Sequence, residues 1–179
     1  MITLYTGPMF SGKTTRLYSK IFRYNLAGMR CLLVKYDKDN RGYDTHDGRE
    51  EKFTYDVKYM SRDKLDELRD ISDKYDVIGI DEAQFYDNLK DICIYLRSVN
   101  VIVLVSGLIS TFKGDMFTPI QDIIPHVDNI KKLSAVCVQC GKQGIYSNRK
   151  DTSNNIEMIG GIDLYEPLCH SCFIPRGIL

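Results

Sequence analysis

The chain has no excess of charge of either sign: 24 Lys+Arg stand against 24 Asp+Glu, and no run of basic residues builds a positive face. Duplex nucleic acid and anionic membrane both select such a face, so neither is expected as the main partner. No stretch approaches the ~18 apolar residues that a membrane span requires. Residues 1–6 (MITLYT) have neither a basic n-region nor an apolar h-segment, and a cytoplasmic protein is the expectation. At 179 residues the chain is short for two full domains. It is long enough to bury a core in one domain with a small appendage.

What is present is most specific near the start. Gly7-Pro8-Met9-Phe10-Ser11-Gly12-Lys13-Thr14 fits G-x-x-x-x-G-K-[ST] at every fixed position and follows an apolar run, Ile2-Thr3-Leu4-Tyr5. Glycines at the loop ends let the backbone close around a phosphate, so that successive N–H groups and the N-terminus of the next helix face negative charge. Lys13 would reach the β- and γ-phosphates of a nucleotide, and the Thr14 hydroxyl would bind Mg²⁺. Leu17, Ile21 and Leu26 recur at near-helical spacing over residues 14–27, the helix such a loop needs after it. The plain alternative is a Gly-Ser-Gly turn without a ligand. Lys and Thr both in register favour the phosphate loop.

Residues 30–36 (RCLLVKY) have strand length and composition. Residues 37–52 carry almost no aliphatic side chain and read as a surface loop, or as a lid over charged substrate, with composition favouring the loop. Arg41 and His46 lie in it, and taken alone each reads as solvated. Leu65, Leu68 and Ile71 form the stripe of a short amphipathic helix over residues 62–72. Residues 76–80 (DVIGI) then make a short apolar strand ending on Asp81 and Glu82, as a Walker-B strand does beside a phosphate loop. Asp81 would bind Mg²⁺ directly or through its water. Glu82, one residue further into the crevice at the strand's carboxyl end, can act as a general base. With water as the attacking group the protein is an ATPase, and with a substrate alcohol a kinase. The bland reading is that the two carboxylates cap a helix beginning near Asp87.

A further buried strand is expected at residues 101–105 (VIVLV), and Pro119 and Pro125 make residues 116–127 a broken helix at best. Strands separated by helical segments predict an α/β fold with a parallel sheet flanked by helices, ligands lying at its carboxyl edge.

The tail differs in chemistry. Cys137-Val138-Gln139-Cys140 and Cys169-His170-Ser171-Cys172 are two Cys-x-x-Cys knuckles, while Cys31 and Cys93 sit alone in apolar segments and read as core. Four thiolates can close a tetrahedral Zn²⁺ site. Redox pairs are the rival reading, and two such pairs together favour metal. His170 lies inside a knuckle, too crowded for a fifth ligand. Residues 141–168, 28 in all, exceed ordinary zinc-ribbon spacing, so the zinc would staple the base of a long loop. Within that loop residues 144–149 and 156–161 are expected as the strands of a β-ribbon. The domain reading is therefore 1–134 as a P-loop ATP-binding α/β domain and 135–179 as a zinc-stapled ribbon or lasso that closes over a ligand.

Taken together, residues 7–14, Asp-Glu-Ala-Gln-Phe at 81–85, Ala-Val-Cys-Val-Gln-Cys at 135–140 and Ile-Gly-Gly-Ile-Asp-Leu-Tyr at 159–165 resemble the type II thymidine kinase family over nearly the whole chain. The resemblance implies transfer of the ATP γ-phosphoryl to the 5′-hydroxyl of thymidine, in a homotetrameric salvage enzyme inhibited by dTTP. It implies that Glu82 takes the hydroxyl proton, that Lys13 and Arg41 stabilise charge on the moving phosphoryl, and that Thr14 with Asp81 manages Mg²⁺. Asp39 and Gln84 match positions near the nucleotide. Met9, Phe85, Leu108, Phe112 and Tyr165 match positions around the thymine ring, and Ile156, Glu157 and Met158 match a strand whose main-chain groups read the pyrimidine edge. One departure stands out. Where the family commonly has Leu-Asp-Gly-Thr-Phe, this chain has Leu108-Ile109-Ser110-Thr111-Phe112, without an acid and a glycine beside the expected pocket. The alternative function is a P-loop NTPase whose zinc module binds nucleic acid or protein.

Overall fold

In the computed structural model, which describes residues 1–39, 54–151, 155, 158 and 160–174, the first strand β1 (Ile2–Gly7) runs straight into the phosphate loop. Helix α1 (Lys13–Leu26), β2 (Cys31–Tyr36) and β3 (Asp56–Met60) follow. After a 3₁₀ helix at Leu65–Lys74 come β4 (Val77–Ile80), a 3₁₀ turn at Ala83–Phe85, α2 (Leu89–Ser98) and β5 (Ile102–Leu108). Helix α3 (Thr118–Ile123) leads through a 3₁₀ turn at Ile124–His126 into β6 (Asn129–Lys132). The expected break is there: Pro119 occupies the first turn of α3, where its missing N–H has no partner to lose, and Pro125 lies in the turn that ends it.

All six strands are parallel, in the order β3-β2-β4-β5-β1-β6. Alternate residues of the central strands feed two cores, which is why those strands read as unbroken apolar runs. Cys31, Leu33, Val77 and Leu104 pack with Leu17, Tyr18 and Ile21 of α1. Leu32, Val34, Ile78, Val103 and Val105 face Ile92 and Leu96 of α2 and Ile120 and Ile123 of α3. Helix α1 lies so close to the sheet that a Cβ at Gly79 would stand 2.2 Å from Ile21 Cδ1. The register sets Gly7 beside Leu108 and Ile80 beside Val105, so the phosphate loop, Asp81 and the end of β5 meet at one carboxyl edge.

The structure differs from the expectations at the sheet's margins and adds to them. The Leu65–Leu68–Ile71 stripe sits on a 3₁₀ helix, whose three residues per turn align side chains spaced by three. Strands β3 and β6 had no expectation: they are the sheet's two edges, and every residue of β6 is exposed, so neither carries an apolar run. In the tail, β7 (Ala135–Val136) pairs with β8 (Gln143–Gly144), and β9 (Tyr146–Arg149) pairs antiparallel with β10 (Tyr165–Leu168), while residues 156, 157 and 159 of the expected second ribbon strand lie outside the described residues. A one-turn helix α4 (His170–Phe173) closes the tail, Phe173 stacking on Tyr146 with ring centroids 4.2 Å apart.

Candidate active site

The phosphate loop is held by backbone shape. Gly7 and Gly12 have φ of +150° and +78°, and Phe10, unusually for a non-glycine, +62°. A Cβ on Gly7 would stand 2.4 Å from the Leu133 carbonyl oxygen, so no other residue fits there. The Lys13 ammonium donates to the Pro8 carbonyl at 2.6 Å, and Ser11 Oγ donates to the same oxygen at 2.7 Å. A cation is thus held inside a loop that opens α1 by its N-terminus, the chemistry that attracts a polyphosphate.

Asp81 follows the last residue of β4, 3% exposed, and three hydroxyls donate to its carboxylate. Thr14 Oγ1 reaches Oδ1 at 3.3 Å, Tyr18 OH reaches Oδ2 at 3.3 Å, and Ser106 Oγ also donates to Oδ1. Thr14 and Tyr18 are four residues apart on α1 and so share a face. Burial first, then the Asp81 carboxylate, pushes the Tyr18 phenol far above its ordinary range, and it remains a donor. The Thr14 hydroxyl and the Asp81 carboxylate are hard oxygen donors within hydrogen-bond distance of each other, a set that fits Mg²⁺.

Glu82 has φ +50°, a left-handed conformation that costs a residue with a Cβ about 1–3 kcal/mol and persists where surroundings enforce it. The enforcing neighbour is Gln84, 2% exposed. Its Nε2 donates to Glu82 Oε2 at 2.7 Å while its Oε1 accepts from the Leu108 N–H at 3.0 Å. Gln84, which the resemblance sets near the nucleotide, lines the cavity, and its side chain braces the Glu82 carboxylate against the end of β5.

One cavity gathers most of the sequence-derived residues. Phe10, Gly12, Lys13, Thr14, Asp81, Glu82 and Gln84 line its phosphate end, and Met9, Phe85, Leu108, Met158 and Tyr165 its apolar end. Phe85 is fixed by stacking on Tyr36, centroids 4.8 Å apart, and by the edge of Phe117 at 6.5 Å. Gly7, Pro8 and Ser11 shape the loop without lining the cavity, and Asp39 is buried at the end of β2, also outside the lining. Phe112 is likewise absent from the lining: the Arg149 guanidinium lies 3.7 Å from its ring centroid. Arg149 is itself buried and paired with Asp151 at 2.6 Å. Arg41 and His46 lie outside the described residues, as do Ile156 and Glu157.

Sequence reasoning missed Ser106, Phe117 and Ser147. Phe117 lines the cavity; its only signal was an aromatic residue two positions before Pro119. Ser147 Oγ accepts from the Met9 N–H at 2.9 Å, fastening β9 to the phosphate loop across 138 residues of sequence. Tyr165 OH donates to the Met158 carbonyl at 2.8 Å, so β10 carries one wall of the apolar end.

The four knuckle sulfurs lie within 4.8 Å of one another. Cys137 follows β7 in a hairpin turn closed by Gly141 N–H to its carbonyl at 2.9 Å, and Cys169 begins α4. Burial opposes a Cys137 thiolate, but amides of Cys169, Gln139 and Cys140 outweigh it and bring the thiol down to about 6. Hydrogen bonding with Cys169 and Cys140, then burial, pushes Cys172 up to about 12. A set of four sulfurs at this spacing fits Zn²⁺.

Comparison with known proteins agrees with this geometry. Residues 1–173 match the family described as thymidine kinase. The thymidine kinase of raccoon poxvirus is 39% identical over 176 residues, covering 97% of this chain and 96% of that protein. Those of myxoma virus (strain Lausanne) and vaccinia virus (strain Western Reserve) are 38% and 39% identical, covering 96% and 97% of this chain and 95% and 96% of theirs.

Proposed function

The chain belongs to the thymidine kinase family, and from that premise we propose that it transfers the γ-phosphoryl group of ATP to the 5′-hydroxyl of thymidine, giving dTMP and ADP. The observation that carries the reading is a single cavity with Lys13, Thr14, Asp81 and Glu82 at one end and Met9, Phe85, Leu108 and Tyr165 at the other. A triphosphate fits the first set and a pyrimidine the second, with the sugar hydroxyl between them beside Glu82.

In this proposal Glu82 accepts the 5′-hydroxyl proton as the oxygen attacks the γ-phosphorus and the bond to the β,γ-bridging oxygen breaks, ADP leaving with the electron pair. Gln84 keeps the Glu82 carboxylate turned to the alcohol. Lys13 stabilises charge on the transferring group, with Arg41 as the second cation that the family resemblance implies. Thr14 and Asp81 would hold Mg²⁺, which when bound would offset the charge of the phosphates. Zn²⁺ on Cys137, Cys140, Cys169 and Cys172 is structural. Residues 1–134 form the ATP-binding part and 135–179 the part that closes over thymidine, main-chain groups of 156–158 reading the base.

Because dTTP carries both a thymine and a triphosphate, it suits the two ends of one cavity, and we propose it as a competing feedback inhibitor. We propose a homotetramer as the assembly that the family resemblance implies. No helix among the described residues is long and apolar enough to cross a membrane, and we propose a cytoplasmic location.

A radiolabelled-nucleoside panel with ATP and Mg²⁺ tests the reading. Labelled monophosphate from thymidine, in step with ADP, is expected. ADP released at the same rate without any nucleoside would replace the kinase with an NTPase.

A further inference from the structure

We infer that Arg149 is a positioning residue for thymidine: its buried guanidinium ties together three segments that carry the apolar end of the cavity. The inference rests on the proposed thymidine reading and extends it to a residue that does not itself line the cavity.

Arg149 ends β9, and its side chain has no exposed surface. Three segments meet around it. The guanidinium lies over the ring of Phe112 at 3.7 Å, closer than Lys113, whose ammonium stands 5.7 Å from the same centroid. Phe112 lies in the turn after β5, closed by the Thr111 N–H on the Asp115 carbonyl at 2.8 Å and the Phe117 N–H on the Ile109 carbonyl at 3.3 Å. That turn begins at Leu108 and ends at Phe117, and both line the cavity. Across the ribbon Arg149 stands opposite Tyr165 of β10, whose hydroxyl holds the Met158 carbonyl. Burial pushes the Tyr165 phenol up, and the Arg149 guanidinium beside it works against that. Nη1 also donates to the Asn155 carbonyl, just ahead of Met158 in the chain. Leu108, Phe117, Tyr165 and Met158 thus each belong to a segment that this one side chain touches.

The residue type fits the task. Burying a cation is costly, and an apolar side chain would fill the same place without that cost. Asp151, 2.6 Å from Nε, offsets the charge but is itself 31% exposed and outside the cavity lining. What a guanidinium adds is a flat, weakly hydrated face that stacks on an aromatic ring, with donors at its edge for a carbonyl and a carboxylate. An ammonium offers no such plane. Ser147 projects from the same face of β9 and fastens the phosphate loop through the Met9 N–H. One strand of the tail thus grips the phosphate loop through Ser147 and the base end through Arg149.

The test is steady-state kinetics of the full chain, with zinc content and melting temperature measured beside it. Arg149→Met is expected to raise the thymidine KM by about tenfold, while kcat and the ATP KM stay within about threefold. Arg149→Lys, which keeps the charge beside Asp151 but not the plane, should show the same rise, and serves if the apolar replacement fails to fold. Phe112→Leu should raise the thymidine KM similarly, and the double variant by little more than either alone, because both remove one contact. Effects that multiply to about a hundredfold in the double variant would mean separate actions and overturn the positioning role. So would a thymidine KM unchanged in Arg149→Lys, or a rise in both KM values with loss of zinc, a result that unfolding of the tail explains. Each of these counts against the inference alone. ADP released by the unaltered chain at the same rate without any nucleoside overturns the thymidine reading, and the inference with it.

Discussion

Glu82 and Gln84 depend on each other in a way that kinetics can resolve. A left-handed backbone at Glu82 is unfavourable on its own, and the Gln84 amide, anchored to the Leu108 N–H, is what keeps the carboxylate in place. Glu82→Gln removes the proton acceptor while keeping the shape. Turnover should fall by roughly 10²–10⁴-fold, the usual worth of a positioned base, with ATP and thymidine binding retained in equilibrium measurements. A rate near that of the unaltered chain would take Glu82 out of the role. Gln84→Ala leaves the base present and removes the amide that holds it toward β5. Its expected signature is a fall in kcat of about tenfold with the KM for ATP little changed, since the amide touches Glu82 and not the phosphate loop. A change confined to the KM for ATP would return Gln84 to the nucleotide-binding set.

Among the elements, those buried on both faces were legible in sequence and those at the margins were not. β1, β2, β4 and β5 are apolar runs because α1 covers one face and α2 with α3 the other. β3 and β6 border solvent, and their Lys58, Lys131 and Lys132 are the charges an edge strand carries to discourage further pairing, which hides it from any search for apolar runs. The phosphate loop and the Asp81-Glu82 turn were legible because their chemistry demands particular residues at fixed spacing. Ser106 and Ser147 were not, since a lone serine acquires a role only from a partner distant in sequence. The sheet's far end has a test of its own. Just before β2 and β4, Arg30 Nη2 meets Asp76 Oδ1 at 2.7 Å and the Arg30 N–H meets Oδ2 at 2.9 Å. Hydrogen bonds from the Arg30 guanidinium and amide hold the Asp76 carboxyl down at about 2. A depressed carboxyl stabilises the fold above its unfolded value, near 3.9, and that contribution disappears as pH falls through about 2. Arg30→Ala should therefore lower the melting temperature by a small, constant amount above about pH 4, the pair being exposed, and by less and less as pH falls from 4 to 2. Melts followed by circular dichroism over that range check it; a difference that widened on acidification would contradict the clamp.

Across the whole molecule, the one cavity is lined both from the sheet and from the tail. The sheet owns the phosphate loop, Asp81 and Glu82, whereas Tyr165 and Met158 belong to the tail that the four cysteines gather. The Met9–Ser147 hydrogen bond and the Arg149–Phe112 contact link them, and Cys137, Leu168, Cys169 and Phe173 form the small core that keeps β9 and β10 in place. Among the described residues that core is Cys137, Leu168, Cys169 and Phe173, a small apolar surface, and in the proposed function zinc binding supplies much of the tail's folding free energy. Cys169→Ser, or extraction with a strong zinc chelator, should thus act unequally on the two substrates. We expect loss of bound zinc by elemental analysis and a rise of at least about tenfold in the thymidine KM, with binding of a fluorescent ATP analogue changed by less than about threefold. The asymmetry is what matters: a tail that merely decorated the sheet would release its zinc without moving the thymidine KM, and a tail on which the sheet's own folding depended would lose both substrates together.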